Sequence, residues 1–409
     1  MAAVPIQYKI DYENLLRTFN HDVNNGVVES TFQERTRLFA HWRRWLSGYN
    51  PWAKLGLQNI PRETQIKILG AYATHVRYGG ISKRKLKVRA QTVAVALRAI
   101  STTMQLEGQP SPVVDPQGKY PKAISQLFEG YKRDDPAPEP KLAVPVTVPN
   151  HLAHHSGTTP LRQAIGDLAL IAFYFLLRVG EYTYHKESDR RRTQQFRVDD
   201  VTMWHGNTRL SHKASTPYLY KKCTSITLSI SNQKNGKRNQ TIHQESLHTN
   251  NCPNRAVIRR VKHIQAHTTN TDEIIGTYFA NKSAPGKQVT PDQMNKAVKR
   301  AVTDLRLDVN GLHATHVGSH SLRAGGAMAM HLNGIDPNTI KKMGRWSSDT
   351  FLMYIHEQIA AFSNNVSKRM SNPITFHNIA CQPAQNQQPN VVHHPFAGTQ
   401  LLDHNHNTR

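Results

Sequence analysis

The sequence predicts a mainly α-helical chain with one small antiparallel β-sheet, arranged as two domains. Three observations carry this. Long stretches on both sides of residue 140 place apolar residues three and four apart, the repeat of a helix with one buried face. One stretch, TSITLSISNQKNGKRNQTIHQ, instead alternates apolar and polar residues around Asn235-Gly236, the strongest short signal for a hairpin turn. Between the helical stretches, RDDPAPEPKLAVPVTVP at 133–149 carries five prolines, each of which lacks a backbone donor and clashes with a preceding helical turn. At 409 residues the chain can build two cores, since a domain usually takes about 100–200 residues. The expected division is a helical domain at 1–132, an extended linker at 133–149, a second domain at 150–370 and a disordered tail at 371–409, where CQPAQNQQPNVVHHPFAG shows no apolar period.

Taken in order, DYENLLRTFNHDV, STFQERTRLFAHWRRWLSGY, RETQIKILGAYATHVRYGG and KLKVRAQTVAVALRAISTTMQL read as helices. In the last, Val93, Leu97, Ile100 and Met104 form one apolar face behind a basic entrance. Beyond the linker, Thr159 and Pro160 suit the N-cap and first turn of a helix whose stripe is Leu161, Ile165, Leu168, Ala172 and Phe175. FRVDDVTMWHG and the Asn-Gly hairpin, with Ile226, Leu228 and Ile230 alternating, supply the sheet. Helices resume at TPDQMNKAVKRAVTDL, SHSLRAGGAMAMHLNG, DPNTIKKMG and SSDTFLMYIHEQIAAFSNNVSKRM.

Lys plus Arg number 52 against 28 Asp plus Glu, a formal +24, which exceeds what solubility requires and implies a polyanionic partner. The charge is densest in ISKRKLKVR, where Lys83, Arg84, Lys85, Lys87 and Arg89 fall within seven residues; they read as phosphate contacts, with a solvated cluster on an ordinary bundle as the alternative. The sequence has no run of about 18 apolar residues, and MAAVPIQYKIDYENLL lacks the charged-then-apolar pattern of a leader, so a soluble, unsecreted protein without a membrane partner is expected. Three widely spaced cysteines argue against a disulfide framework and fit a reducing compartment. His243, His248 and Cys252 share one stretch but lack a paired Cys-x-x-Cys, and neither a P-loop nor carboxylates spaced for magnesium occur. No metal and no cofactor are expected.

Four places carry candidate chemistry. In FLLRVGEY, Arg178 closes an apolar helix with Glu181 one turn on, which is either a pair tying off a helix end or a guanidinium placed for a ligand. His320 and Arg323 share one face of a helix, a combination suited to holding a phosphate and moving protons around it, and the AGGAMAM that follows is small enough for close packing. Lys234 and Lys237 flank the hairpin turn. Trp346 precedes Tyr354, and a tyrosine on such a helix is ordinarily core. Singly these mean little; their order in a basic chain is what distinguishes them.

That order, with RVGE at 178–181, QKNGKR at 233–238, HSLR at 320–323 and GRWSSDTFLMYIH at 344–356, resembles the tyrosine recombinase or phage integrase family over roughly residues 75–370, and its wording is similar to the Crypton-like branch of eukaryotic mobile elements. The resemblance implies a helical, SAM-like core-binding domain and a mixed α/β catalytic domain closing around double-stranded DNA, usually as a tetramer on two DNA partners. It implies Tyr354 as the nucleophile that forms a 3′-phosphotyrosyl link, and Arg178 and Arg323 as the clamp on the non-bridging oxygens. Lys234 would protonate the leaving 5′-oxygen, His320 would take or return the tyrosyl proton, Glu181 would brace Arg178 and Trp346 would fill the third box. Two positions stay open. Trp346 stands eight residues before Tyr354 where the family's commonest spacing is nine, which is Arg345; and Lys237 competes with Lys234. The function expected is a DNA integrase or recombinase working without metal or nucleotide, in the nucleus if the source is eukaryotic and otherwise cytoplasmic. The alternatives are a domesticated DNA-binding protein that has lost turnover and a DNA-relaxing, type IB-like topoisomerase.

Overall fold

Five helices come first: α1 (Ile6–Asn25), α2 (Glu29–Tyr49), α3 (Arg62–Arg77), α4 (Ala90–Leu106) and α5 (Lys122–Asp134). The structure is a computed structural model that describes residues 6–137, 141–157, 159–185, 193–232, 238–247 and 249–346, together with Ser348 and Leu352. Helices α2 to α5 enclose one hydrophobic cluster, with Trp42, Leu69, Tyr72 and Val76 inside it. The four apolar residues expected on one face of α4 all belong to this cluster and are at most 1% exposed. Its buried cation, Arg77, pairs with Asp135 and donates to the carbonyls of Val88 at 2.6 Å and Tyr131 at 3.1 Å. Asp135 also accepts from the backbone N–H of Ala90 at 2.8 Å, so one carboxylate ties the end of α5 to the start of α4. Lys83, Arg84, Lys85, Lys87 and Arg89 are all exposed on the loop between α3 and α4.

The proline-rich stretch is shorter as a connector than 133–149. Helix α5 runs to Asp134, and α6 (Thr147–His154) has already begun by Pro149. Proline is tolerated there because the first N–H groups of a helix have no intrahelical acceptor. Next come α7 (Pro160–Tyr174), β1 (Val201–His205), β2 (Thr208–Leu210), α8 (Thr216–Lys222), β3 (Ser225–Asn232), β4 (Arg238–Glu245) and α9 (Pro253–Gln265). The chain continues through β5 (Thr277–Tyr278), β6 (Lys287–Gln288), α10 (Pro291–Asp304), α11 (His320–Leu332) and α12 (Pro337–Gly344). Antiparallel strands in the order β2-β1-β3-β4 form the expected sheet, while β5 and β6 pair separately.

Alternation in β3 buries Ile226, Leu228 and Ile230, and Leu228 stands opposite Ile242 of β4. These residues join α7, α9 and α10 in a second hydrophobic cluster. The amphipathic start of α10 is fixed as the sequence suggests: Thr290 Oγ1 accepts from Gln293 N at 3.2 Å and the Gln293 side chain accepts from Thr290 N at 2.8 Å. No helix among the described residues is long and apolar enough to cross a membrane.

Candidate functional site

Arg178 does not lie on the apolar stripe of α7. That helix stops at Tyr174, and Leu176 adopts a left-handed backbone with φ of 50°, a conformation rare for a bulky side chain. The reversal leaves Arg178 as the residue capping a short 3₁₀ turn, Val179–Glu181. It also presents the Leu176 carbonyl to two guanidiniums: Arg323 Nη1 donates to it at 2.6 Å and Arg345 Nη2 at 3.0 Å. Backbone strain of this kind costs about 1–3 kcal/mol and persists only where the surroundings hold it.

Glu181, fully buried, is the hub. Arg345 donates Nη1 to Oε1 and Nη2 to Oε2, both at 3.0 Å, a parallel two-bond pairing. Arg178 contributes its backbone N–H to Oε2 at 2.8 Å and its Nη1 to Oε1 at 3.2 Å. Burial pushes the Glu181 carboxyl upward, but the Arg345 charge and these hydrogen bonds outweigh it, so the group is held below the usual carboxylate range and stays ionised. Arg345 itself has a left-handed φ of 56° at the end of α12, which turns its side chain back to the hub.

On α11, His320 is the first helical residue and partly exposed, while Arg323 is 1% exposed. Arg323 Nη2 donates to the Gly344 carbonyl, and its guanidinium lies 4.4 Å from the centre of the Trp346 ring. Gly344 itself sits against that ring; a Cβ there would fall 1.6 Å from a ring carbon. The small residues after Arg323 serve close packing as expected. A Cβ at Gly325 would come 2.1 Å from the Val144 carbonyl oxygen, and one at Gly326 2.1 Å from that of Phe173, so only glycine lets α11 meet the end of α7.

Thus the structure brings Arg178, Glu181, Arg323, Arg345 and Trp346 into one connected group, with His320 one turn before Arg323. Residues 195–360 match the model of the phage integrase family. The matched segment contains both strands of the hairpin, His320, Arg323, Arg345, Trp346 and Tyr354; Arg178 and Glu181 precede it and join it through folding. No curated protein matches the chain. Solved structures similar to it include the XerH site-specific recombinase bound to palindromic difH substrate in a post-cleavage complex, 15% identical over 76% of this chain and 74% of that one, with a TM-score of 0.45. The Tn1549 transposon integrase in complex with circular intermediate DNA is 12% identical, over 82% and 99%, with a TM-score of 0.42. A lambda integrase dimer bound to a COC' core site is 11% identical, over 86% and 95%, with a TM-score of 0.43.

Tyr354, Lys234 and Lys237 lie outside the described residues. Asn232 pairs with Arg238 across β3 and β4, so both lysines fall in the five-residue connection at 233–237. Of the two residues open for the third box, Trp346 touches Arg323 and Arg345 holds Glu181. Nothing in the local sequence pairs Arg345 with Glu181; its nine-residue distance from Tyr354 is the one signal that singles it out. Among the described residues no three His, Cys, Asp or Glu side chains are grouped to hold a metal ion, and Cys252 Sγ accepts from Leu247 N at 3.2 Å.

Three guanidiniums against one carboxylate leave a surplus of two positive charges. That surplus equals the total charge of a phosphodiester's doubly negative pentavalent transition state, one more than its monoanion carries, and it is there that fixed donors act most strongly.

Proposed function

We propose that the chain is a site-specific tyrosine recombinase or integrase, encoded by a mobile element of the Crypton-like kind, that cleaves and rejoins double-stranded DNA through a 3′-phosphotyrosyl intermediate. The observation that carries this is the convergence of Arg178, Arg323 and Arg345 on Glu181 and the Leu176 carbonyl, beside His320. A phenol has an ordinary pKa of about 10 and attacks phosphorus at neutral pH only with cations and a base at hand. In this reading Arg178 and Arg323 hold the phosphate, Arg345 fixes the hub and Trp346 packs beneath Arg323. His320 exchanges the proton of Tyr354, and Lys234 protonates the leaving 5′-oxygen. The covalent link keeps the energy of the broken phosphodiester, so rejoining needs no nucleotide. A tetramer on two DNA sites, in the nucleus of a eukaryotic source, completes the proposal.

A nicked duplex bearing the correct site should trap a covalent protein–DNA adduct on a denaturing gel, and Tyr354→Phe should abolish it while DNA binding persists. An adduct formed by the Phe variant would show that another residue attacks. One observation favours a second reading, a DNA-binding protein without turnover: Arg323 is 1% exposed and bonds two backbone carbonyls. Failure of the wild-type chain to give any adduct on its own bound sequence, with binding intact, would select that reading.

A further inference from the structure

A second polar site lies away from this hub. The C-terminal end of α6, the face of α7, the start of α8, residues 250–251 and α9 line an open recess of about 530 Å³. Eleven of its twelve lining residues carry polar or charged side chains, Ala153 being the exception. Its charges do not balance: Arg259, Arg260 and Lys262 face one carboxylate, Asp167.

Asp167 is shared: Arg259 donates Nε to it at 2.7 Å, and its charge also acts on Arg260. Arg260 is 1% exposed, and the groups it donates to are neutral, the carbonyls of Ile275 at 3.2 Å and of Thr277. Among the described residues no carboxylate lies within ion-pair distance of it. Burial pulls its guanidinium down to about 10, still charged at neutral pH. Lys262 Nζ likewise donates to neutral oxygens, the His212 carbonyl at 2.5 Å and Gln265 Oε1 at 3.2 Å. Burial holds the neighbouring His263 down at about 4, so it adds no charge at neutral pH; its Nε2 accepts from Phe279 N at 3.0 Å, which leaves Nδ1–H as a donor.

A buried cation that must share its counter-charge with a second one is costly unless something supplies more. We propose that this recess binds a small phosphate-bearing ligand, its anionic oxygens compensating Arg260 and Lys262 and its remaining polar groups meeting Thr216, Asn250 and Asn251. A free small molecule, rather than a duplex, matches the size of this recess.

The test is thermal denaturation and calorimetric titration of the full chain with inorganic phosphate, pyrophosphate and ATP, with chloride at matched ionic strength as the reference. A saturable rise in Tm is expected with at least one phosphate compound. Inorganic phosphate alone sufficing would mark a single-phosphate site, and a requirement for pyrophosphate or ATP a larger ligand. Arg260→Met should abolish the rise. Lys262→Gln, at a partly exposed position and independent of whether the Met variant folds, should weaken binding about tenfold, the effect of removing one charge-assisted hydrogen bond. The proposal is overturned if chloride stabilises equally, if Lys262→Gln binds phosphate as wild type does, or if a short duplex displaces the phosphate compound.

Discussion

Glu181 and Arg345 form a buried pair whose partners are 164 residues apart in sequence. Removing one member of such a pair leaves the other charged and uncompensated, at a cost of about 3–5 kcal/mol. Glu181→Gln should therefore lower the denaturation midpoint sharply in urea titrations at unchanged slope. Arg345→Lys keeps a charge but cannot make two parallel bonds, so it should lose most of the same stability; near-wild-type denaturation would argue against the bidentate geometry. On the proposed chemistry, Arg178→Lys and Arg323→Lys should each reduce strand cleavage at least a hundredfold, scored as adduct yield, an effect of about 2.7 kcal/mol or more on the barrier. Near-normal adduct from either would remove that residue from the clamp.

At the scale of elements, the close approach of α11 to the end of α7 rests on Gly325 and Gly326, where an added methyl meets backbone oxygens that cannot swing aside. Gly326→Ala should destabilise by about 1–3 kcal/mol or more through overpacking, read in the same urea titration, and should loosen the hold of Arg323 on the Leu176 carbonyl. Asp135 supplies a pH-dependent clamp between α5 and α4. Burial raises its carboxyl, yet the Arg77 and Ala90 hydrogen bonds bring it net below its ordinary value. A depressed carboxyl stabilises the fold above its unfolded pKa and loses that contribution as pH falls through the folded value. Asp135→Asn should accordingly narrow the stability difference between neutral and acidic pH, below about pH 4, and an unchanged acid limb would refute the clamp.

Much of this architecture was legible from periodicity: the stripe of α4, the strands flanking Asn235-Gly236 and the small face of α11 follow from side-chain spacing alone. Helix α9 was not, because PNRAVIRRVKHIQ interrupts its apolar face with cations, and Arg260, whose charge suggests a solvent-facing position, is interior. The turn that positions Arg178 was equally hidden, since nothing in Leu176 announces a left-handed backbone. Pairing of Arg345 with Glu181 is long-range and has no local signature. Local pattern reveals which face is buried; it does not reveal which charges meet after folding.

Across the whole molecule, on the proposed function, the formal +24 would make association with DNA a counterion-release process. Replacing Lys83, Arg84, Lys85, Lys87 and Arg89 by glutamine should flatten the plot of log affinity against log salt by about 0.9 for each phosphate no longer neutralised. An unaltered slope would show that this exposed loop is solvated decoration. The anchoring of α12 has a further effect on the chain beyond it. Arg345, locked in the hub, and Trp346, laid on Arg323, form a mooring, and the line of sequence from Trp346 to Tyr354 is eight residues. Fully drawn out, such a line reaches about 26–29 Å, and every residue inserted into it would widen that radius by about 3.3–3.6 Å. On the proposed chemistry, that sequence distance from the anchored arginine and tryptophan therefore bounds which phosphates the Tyr354 phenol could reach.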